Sequence, residues 1–201
     1  MTKTCALFVG VTLIFGWASA ASSESQLLSA PAWGESTSGL RIGISASSGT
    51  LSATGGDFRI ALENIGSSDF VVNLGFMIGN GKVMFPRAVR LSLVGPGGDT
   101  QNLEFLDRGY PGVAGRMDDF IVALRAGSTY TFATSLDHYW STTAKQFPWP
   151  LAPGRHRIVA RFEGQGAVIL NSDMQGVGLL NFWKGTTQSG NLDFEVVTLS
   201  K

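Results

Sequence analysis

Four aromatic residues cluster in one short stretch of this sequence. Tyr139, Trp140, Phe147 and Trp149 fall within eleven residues and are interspersed with polar residues and prolines. Aromatic rings bury a large area at a low entropic cost, which is why they dominate recognition surfaces. Exposed rings here could stack on sugars or grip a partner protein, so these four residues form the candidate ligand-binding site. The alternative is structural, with the rings plugging the open end of a sandwich or covering an edge strand.

Patterns that point to catalysis are weak. Asp137 and His138 are neighbours in the sequence, but catalytic triads are assembled in space, so adjacency does not indicate one. Asp118 and Asp119 are also adjacent; on a strand they would face opposite ways, which predicts a solvated strand start rather than a chelating pair. The carboxylates of a glycoside hydrolase come from separate strands, so spacing neither shows nor excludes them. The preferred function is therefore a non-enzymatic binding module. A hydrolase with carboxylates assembled across the sheet and a protease-inhibitor-like sandwich are the alternatives.

Residues that could bind a metal are sparse. Cys5 is the only cysteine, and His138 and His156 are the only histidines, so the usual zinc motifs are absent. The segment 171–176 begins like a calcium loop, but Phe182 stands where that loop needs a bidentate glutamate. We therefore predict no metal and no cofactor, with His138 in a surface loop.

The N-terminus and the overall charge indicate the compartment and the class of partner. Lys3 precedes the apolar run 6–17, and Ala18-Ser19-Ala20 is a signal-peptidase pattern, which predicts a signal peptide over 1–20 cleaved after Ala20. The run is too short to cross about 30 Å of hydrocarbon, so no membrane span is expected after cleavage. The chain has 15 basic and 15 acidic side chains, which argues against nucleic-acid binding. The expected protein is secreted or periplasmic, with an unknown protein or carbohydrate partner.

Alternation of apolar and polar residues indicates strands along most of the remaining chain. Six segments have this period of two, which gives each strand one buried and one solvated face. These segments are 40–46, 58–63, 88–93, 129–134, 157–162 and 192–197. Two further segments, 70–78 and 120–124, are apolar on both faces, which predicts central strands. Residues 135–140 are expected to form one short helical turn. The Ser-rich segment 21–39 is expected to be a flexible lead-in whose Trp33 could dock on the domain that follows, a single domain over 40–201.

One local motif narrows the fold class. The segment 151–160 (LAPGRHRIVA) resembles the corner before a late strand in immunoglobulin-like and fibronectin-like sandwiches. Those domains often place a tyrosine where His156 stands, and the tyrosine hydroxyl bonds back to nearby backbone. The resemblance implies that His156 is a packed corner residue. Combined with the many short strands and turns, it predicts an all-β, immunoglobulin-like antiparallel β-sandwich with extra strands and long loops.

Overall fold

The computed structural model describes residues 30–46, 50–52, 56–79, 81–106, 116–148, 150–168 and 172–197. The predicted signal peptide therefore lies outside the described residues. Within them the secondary structure consists of strands and two 3-10 helices, Leu136–His138 and Ser172–Leu179. Neither helix is long or apolar enough to span a bilayer. The strands are β1 Ala32–Trp33, β2 Leu40–Ala46, β3 Thr50–Ser52, β4 Asp57–Asn64, β5 Phe70–Ile78, β6 Val83–Phe85, β7 Val89–Val94, β8 Thr100–Phe105, β9 Met117–Leu124, β10 Thr129–Ser135, β11 Tyr139–Ser141, β12 Gly154–Gly164, β13 Gly185–Gln188 and β14 Leu192–Val197.

The strands form three open sheets. A four-stranded sheet has the order β1-β2-β4-β10, and a three-stranded sheet has the order β6-β5-β9. The seven-stranded sheet has the order β11-β8-β7-β12-β14-β3, and β13 also pairs with the second half of β12. Neighbouring strands run antiparallel, except that β14 and β3 are parallel. The predicted all-β class with antiparallel sheets is confirmed.

The apolar faces of the sheets meet in one core. Leu40, Ile42 and Ile44 of β2 are fully buried, as are Ile158, Ala160 and Phe162 of β12. Each set recurs at every second residue, because successive side chains of a strand point to opposite faces. The arginines that alternate with the β12 set are exposed, whereas the residues that alternate with the β2 set are partly or fully buried. In β12 the alternation read from the sequence is thus the alternation between core and solvent.

Most predicted strands are confirmed, and one detail is wrong. The bounds of β5 and β14 match the predicted segments, and β5 is central in its sheet, as predicted. Segment 120–124 belongs to β9, which pairs only with β5 among the described strands, so it is not a central strand. Phe120 of this segment is covered by a side chain of a neighbouring sheet, because its ring lies 6.4 Å from that of Tyr130.

The four-stranded sheet extends into the segment that the sequence assigns to the lead-in. Ala32 and Trp33 pair with Ile44 and Gly43 of β2. The Trp33 ring covers Gly43, where an added Cβ would lie 2.7 Å from the ring, and the guanidinium of Arg41 lies 4.5 Å from the ring centroid. Trp33 is therefore docked on the sheet, as the sequence suggested.

The predicted corner at His156 is confirmed. The His156 side chain is buried, its Nε2 lies 2.8 Å from the carbonyl oxygen of Ala152, and its ring stacks on Phe194 at 5.4 Å. The side chain thus bonds back to backbone four residues upstream and ties the 151–154 turn to β12.

Candidate binding surface

The edge strand β11 separates the first two residues of the aromatic cluster. Tyr139 and Trp140 are consecutive, so they point to opposite faces. Tyr139 has no exposed surface, and its ring packs edge-to-face on Phe105 at 5.4 Å. Trp140 is half-buried on the outer face. Tyr139 therefore belongs to the core and is unavailable to a ligand, which removes it from the candidate site.

The hydroxyl of Tyr139 is enclosed by the core. Burial raises the pKa of Tyr139 well above its ordinary value, and the nearby Thr134 hydroxyl acts in the opposite direction. Despite this proximity, neither hydroxyl has a hydrogen-bond partner among the described residues. Tyr139 is thus a core residue that carries an unsatisfied polar atom, and its hydroxyl does not reach the surface.

A tight turn after β11 brings Phe147 onto Trp140. The backbone N–H of Ser141 donates to the carbonyl of Gln146 at 2.9 Å, and the Ser141 Oγ accepts from the N–H of Ala144 at 3.0 Å. The two rings then lie edge-to-face, 5.1 Å apart at 87°. Phe147 is half-buried like Trp140, so the pair shares one surface. Trp149, the fourth predicted site residue, lies outside the described residues.

The register of the seven-stranded sheet places charged residues in line with Trp140. Trp140 of β11 is opposite Glu104 of β8, and Arg161 of β12 is opposite Arg90 of β7. Strand β7 pairs with β8 so that Leu91 is opposite Leu103. The adjacent residues Arg90 and Glu104 are therefore opposite each other as well. The result is a row across four strands of the outer face: Trp140, Glu104, Arg90 and Arg161.

Ion pairs connect the charged members of this row. Arg90 lies 3.6 Å from Glu104 and 3.2 Å from Glu163, and Arg161 lies 3.1 Å from the other oxygen of Glu163. Two arginines directly opposite each other would repel, and Glu163 offsets this by bridging them. The four side chains are 36–54% exposed, so each pair contributes only about 0–1 kcal/mol to stability.

Two hollows flank the ion pair between Arg90 and Glu163. One hollow, of about 330 Å³, lies on the β8 side, and Asn102, Glu104 and Thr142 are among the residues that line it. The other, of about 280 Å³, lies toward the three-stranded sheet. Both sizes are near the lower end of the range for small-molecule sites, about 300–1,000 Å³. The outer face is therefore contoured rather than flat, with Trp140 at its edge.

Asp119 lies at the bottom of the second hollow. It is 4% exposed, and its Oδ1 accepts from Asn73 Nδ2 at 2.8 Å and from the backbone N–H of Val168 at 3.0 Å. Asp118 is also buried and pairs with Arg116 at 3.0 Å. The prediction of a solvated strand start is wrong, because both carboxylates are buried: Asp119 accepts from donors in other segments of the chain, and Asp118 pairs with an arginine two residues away.

The other candidate residues do not assemble into a chemical site. His138 ends a 3-10 helix and lies against the Phe105 ring at 5.8 Å. Of the calcium-loop-like segment, Asn171 lies outside the described residues, and the backbone from Ser172 forms a 3-10 helix. Among the described residues no three His, Cys, Asp or Glu side chains are grouped so as to hold a metal ion.

The charged row was missed by reasoning from sequence. Alternation indicates that Arg90, Arg161 and Glu163 leave the core: the two arginines are each flanked by buried residues in their strands, and Glu163 follows the buried Phe162. It carries no information on which strands are neighbours. Glu104 and Trp140 belong to short strands with little alternation, so no sequence signal placed them beside Arg90.

Comparisons with known proteins leave the function open. No family model matches the sequence, and no curated protein matches it. Among solved structures, a family 123 glycoside hydrolase from Clostridium perfringens is similar over 75% of this chain, with 11% identity and a TM-score of 0.28. The match covers 22% of that enzyme, so this chain spans about a fifth of its length. A likeness this slight carries no argument about activity.

Proposed function

We propose that this protein is an exported, non-enzymatic binding module, secreted or periplasmic, that uses an immunoglobulin-like sandwich as its scaffold. Its ligand would contact the outer face of the seven-stranded sheet around Trp140 and Phe147. The observation that carries the proposal is the cross-strand row in which Trp140 stands in register with Glu104, next to Arg90 and Arg161.

The positions of these side chains suit recognition. Trp140, Glu104, Arg90 and Arg161 project from hydrogen-bonded strands, which hold side chains in place better than loops do. An aromatic residue beside arginines is also the composition that carries most binding energy in known interfaces. Since half-exposed ion pairs add little to folding, their clustering on one face is not accounted for by stability alone.

The pairing of the carboxylates favours binding over catalysis. Glu104 and Glu163 both interact with Arg90, and Glu163 also contacts Arg161. A hydrolase would use one carboxyl group as an acid and the other as a base or nucleophile, with room between them for the scissile bond. Here the guanidinium of Arg90 lies between them. This supports the non-enzymatic proposal over a hydrolase built on this pair.

The proposal is tested by binding with a matched pair of variants. Purified protein is screened on a glycan array and against candidate protein partners, and any ligand is titrated against the wild type and Trp140→Ala. Truncation of an aromatic hot-spot residue costs at least about 2 kcal/mol, so affinity is expected to fall about 30-fold. Ile65→Ala is the control, because Ile65 is exposed in the turn after β4 and does not line either hollow.

The possible outcomes are distinct. Circular dichroism of both variants should match the wild type, because neither residue lies in the core. Unchanged affinity in Trp140→Ala would rule out this surface. Cleavage of a bound glycan, detected by mass spectrometry, would favour the hydrolase alternative, and inhibition of a protease would favour the inhibitor alternative.

A further inference from the structure

We infer that the ligand of this surface is a neutral oligosaccharide lying across strands β11, β8, β7 and β12. This inference rests on the proposed binding function and specifies its ligand class. Four features of the surface support it: its charge balance, its hydrogen-bonding groups, its aromatic edge and its length.

The charges of the surface cancel. Arg90 and Arg161 are compensated by Glu104 and Glu163, and each carboxylate lies within 3.6 Å of a guanidinium nitrogen. An anionic ligand would meet two carboxylates, and a cationic ligand would meet two guanidinium groups. A surface without a net field does not steer either of them. Charge therefore selects against acidic glycans and against strongly charged proteins.

The hydrogen-bonding groups alternate between donors and acceptors. Along the row, the carboxylate of Glu104 only accepts, the guanidinium of Arg90 only donates, and the carboxylate of Glu163 accepts again. These side chains are about half exposed, so they keep free donor and acceptor positions. A sugar hydroxyl both donates and accepts, and neighbouring hydroxyls could bridge a carboxylate and a guanidinium. Bonds to ionised groups are stronger than bonds between neutral groups.

The aromatic edge supplies the apolar contact that a sugar needs. One face of a pyranose ring carries mainly C–H groups, and such faces stack on indole rings. Phe147 packs against the Trp140 ring in an edge-to-face arrangement, at 87° and 5.1 Å, which restrains the orientation of the indole. A fixed ring loses little entropy when a ligand stacks on it. Trp140 would thus bind one sugar while the charged row binds its neighbours.

The length of the surface exceeds one sugar. Neighbouring strands are about 4.8 Å apart, so the row from β11 to β12 spans roughly 14 Å. The 330 Å³ and 280 Å³ hollows lie on either side of the Arg90–Glu163 pair, so ligand on both sides of that pair is accommodated. Affinity should therefore rise with the number of sugar units until the row is filled.

Isothermal titration calorimetry with defined probes tests the inference. The probes are neutral gluco-, manno-, xylo- and galacto-oligosaccharides of increasing length, with oligogalacturonates as an anionic counterpart. We expect one neutral series to bind, with affinity that increases with length and changes less than twofold between 50 and 500 mM NaCl. Arg90→Ala should weaken binding at least tenfold. Arg59→Ala, an exposed arginine in β4 of the four-stranded sheet, should leave binding unchanged.

Failure of this inference is distinguishable from failure of the proposed function. Selective binding of oligogalacturonates, with a steep loss of affinity in salt, would overturn the neutral-ligand inference. So would a protein partner that needs Trp140 while every neutral series fails to bind; both results would leave the binding function standing. Neutral-glycan binding that is insensitive to Trp140→Ala and to Arg90→Ala would overturn the surface assigned in both proposals, because the site would then lie elsewhere.

Discussion

Replacement of Tyr139 by phenylalanine tests whether this residue belongs to the core. The change keeps the aromatic ring packed against Phe105 and removes only a hydroxyl that is fully buried and has no hydrogen-bond partner among the described residues. A buried unsatisfied polar group destabilises the folded state by about 1–3 kcal/mol, and a contact with Thr134 recovers part of this. At neutral pH, Tyr139→Phe should therefore be as stable as the wild type, or up to about 1 kcal/mol more stable.

The difference between the two proteins should grow in alkali. Burial raises the pKa of Tyr139 in the folded protein above the ordinary value of 10.0. Below pH 10 both states keep the proton, so the contribution of the neutral phenol is fully present. Above pH 10 the unfolded chain releases a proton that the folded protein retains, and stability falls by about 1.4 kcal/mol per pH unit. Tyr139→Phe lacks this loss, so its advantage should increase by about 1 kcal/mol between pH 10 and 11, because the unfolded phenol is only half ionised at pH 10.

Urea unfolding at pH 7, 10 and 11, followed by circular dichroism, provides the measurement. Tyr130→Phe is the control: burial also raises the pKa of Tyr130, but this side chain is only half-buried, so its alkaline effect should be smaller. A loss of more than 1 kcal/mol in Tyr139→Phe at neutral pH would refute the reasoning, because the hydroxyl would then be making a favourable bond. A loss of unfolding free energy between pH 10 and 11 that is as large in Tyr139→Phe as in the wild type would refute the reasoning as well.

Two further substitutions test the fold around the surface. His156→Phe keeps the stack on Phe194 but leaves the Ala152 carbonyl without its partner, so thermal or urea unfolding should show a loss of about 1 kcal/mol; a gain in stability would contradict the corner assignment. Gly75 has a φ of 140°, and Gly75→Ala places a Cβ 2.2 Å from a carbonyl oxygen, so the free energy of unfolding should fall by about 3 kcal/mol or more. The matched control is Gly98→Ala, where φ is 84° and an added Cβ meets nothing within 4 Å, so the free energy of unfolding should fall by only about 1–2 kcal/mol. Equal losses in the two variants would contradict the prediction, because they would show that the backbone around Gly75 moves to accommodate the Cβ.

Local patterns explain how much of the fold could be predicted. The strands with long alternating runs, such as β12 and β14, were predicted because alternation records burial directly. The corner at His156 was predicted from ten consecutive residues, since its partner lies four residues away. Short strands such as β11 and β13 were missed, because three or four residues form too brief a pattern to be recognised.

The sequence by itself determined the all-β class, the face of each long strand that meets the core, and the location of the aromatic cluster. These are properties of neighbouring residues, and the pleat of a strand translates them directly into burial. Tertiary structure decided that Tyr139 is a core residue while Trp140 lies outside, and that Trp140 stands in line with Glu104, Arg90 and Arg161. Strand order and register join residues as far as 145 positions apart, as in the pairing of Glu195 with Thr50, and no local pattern specifies which strands will pair.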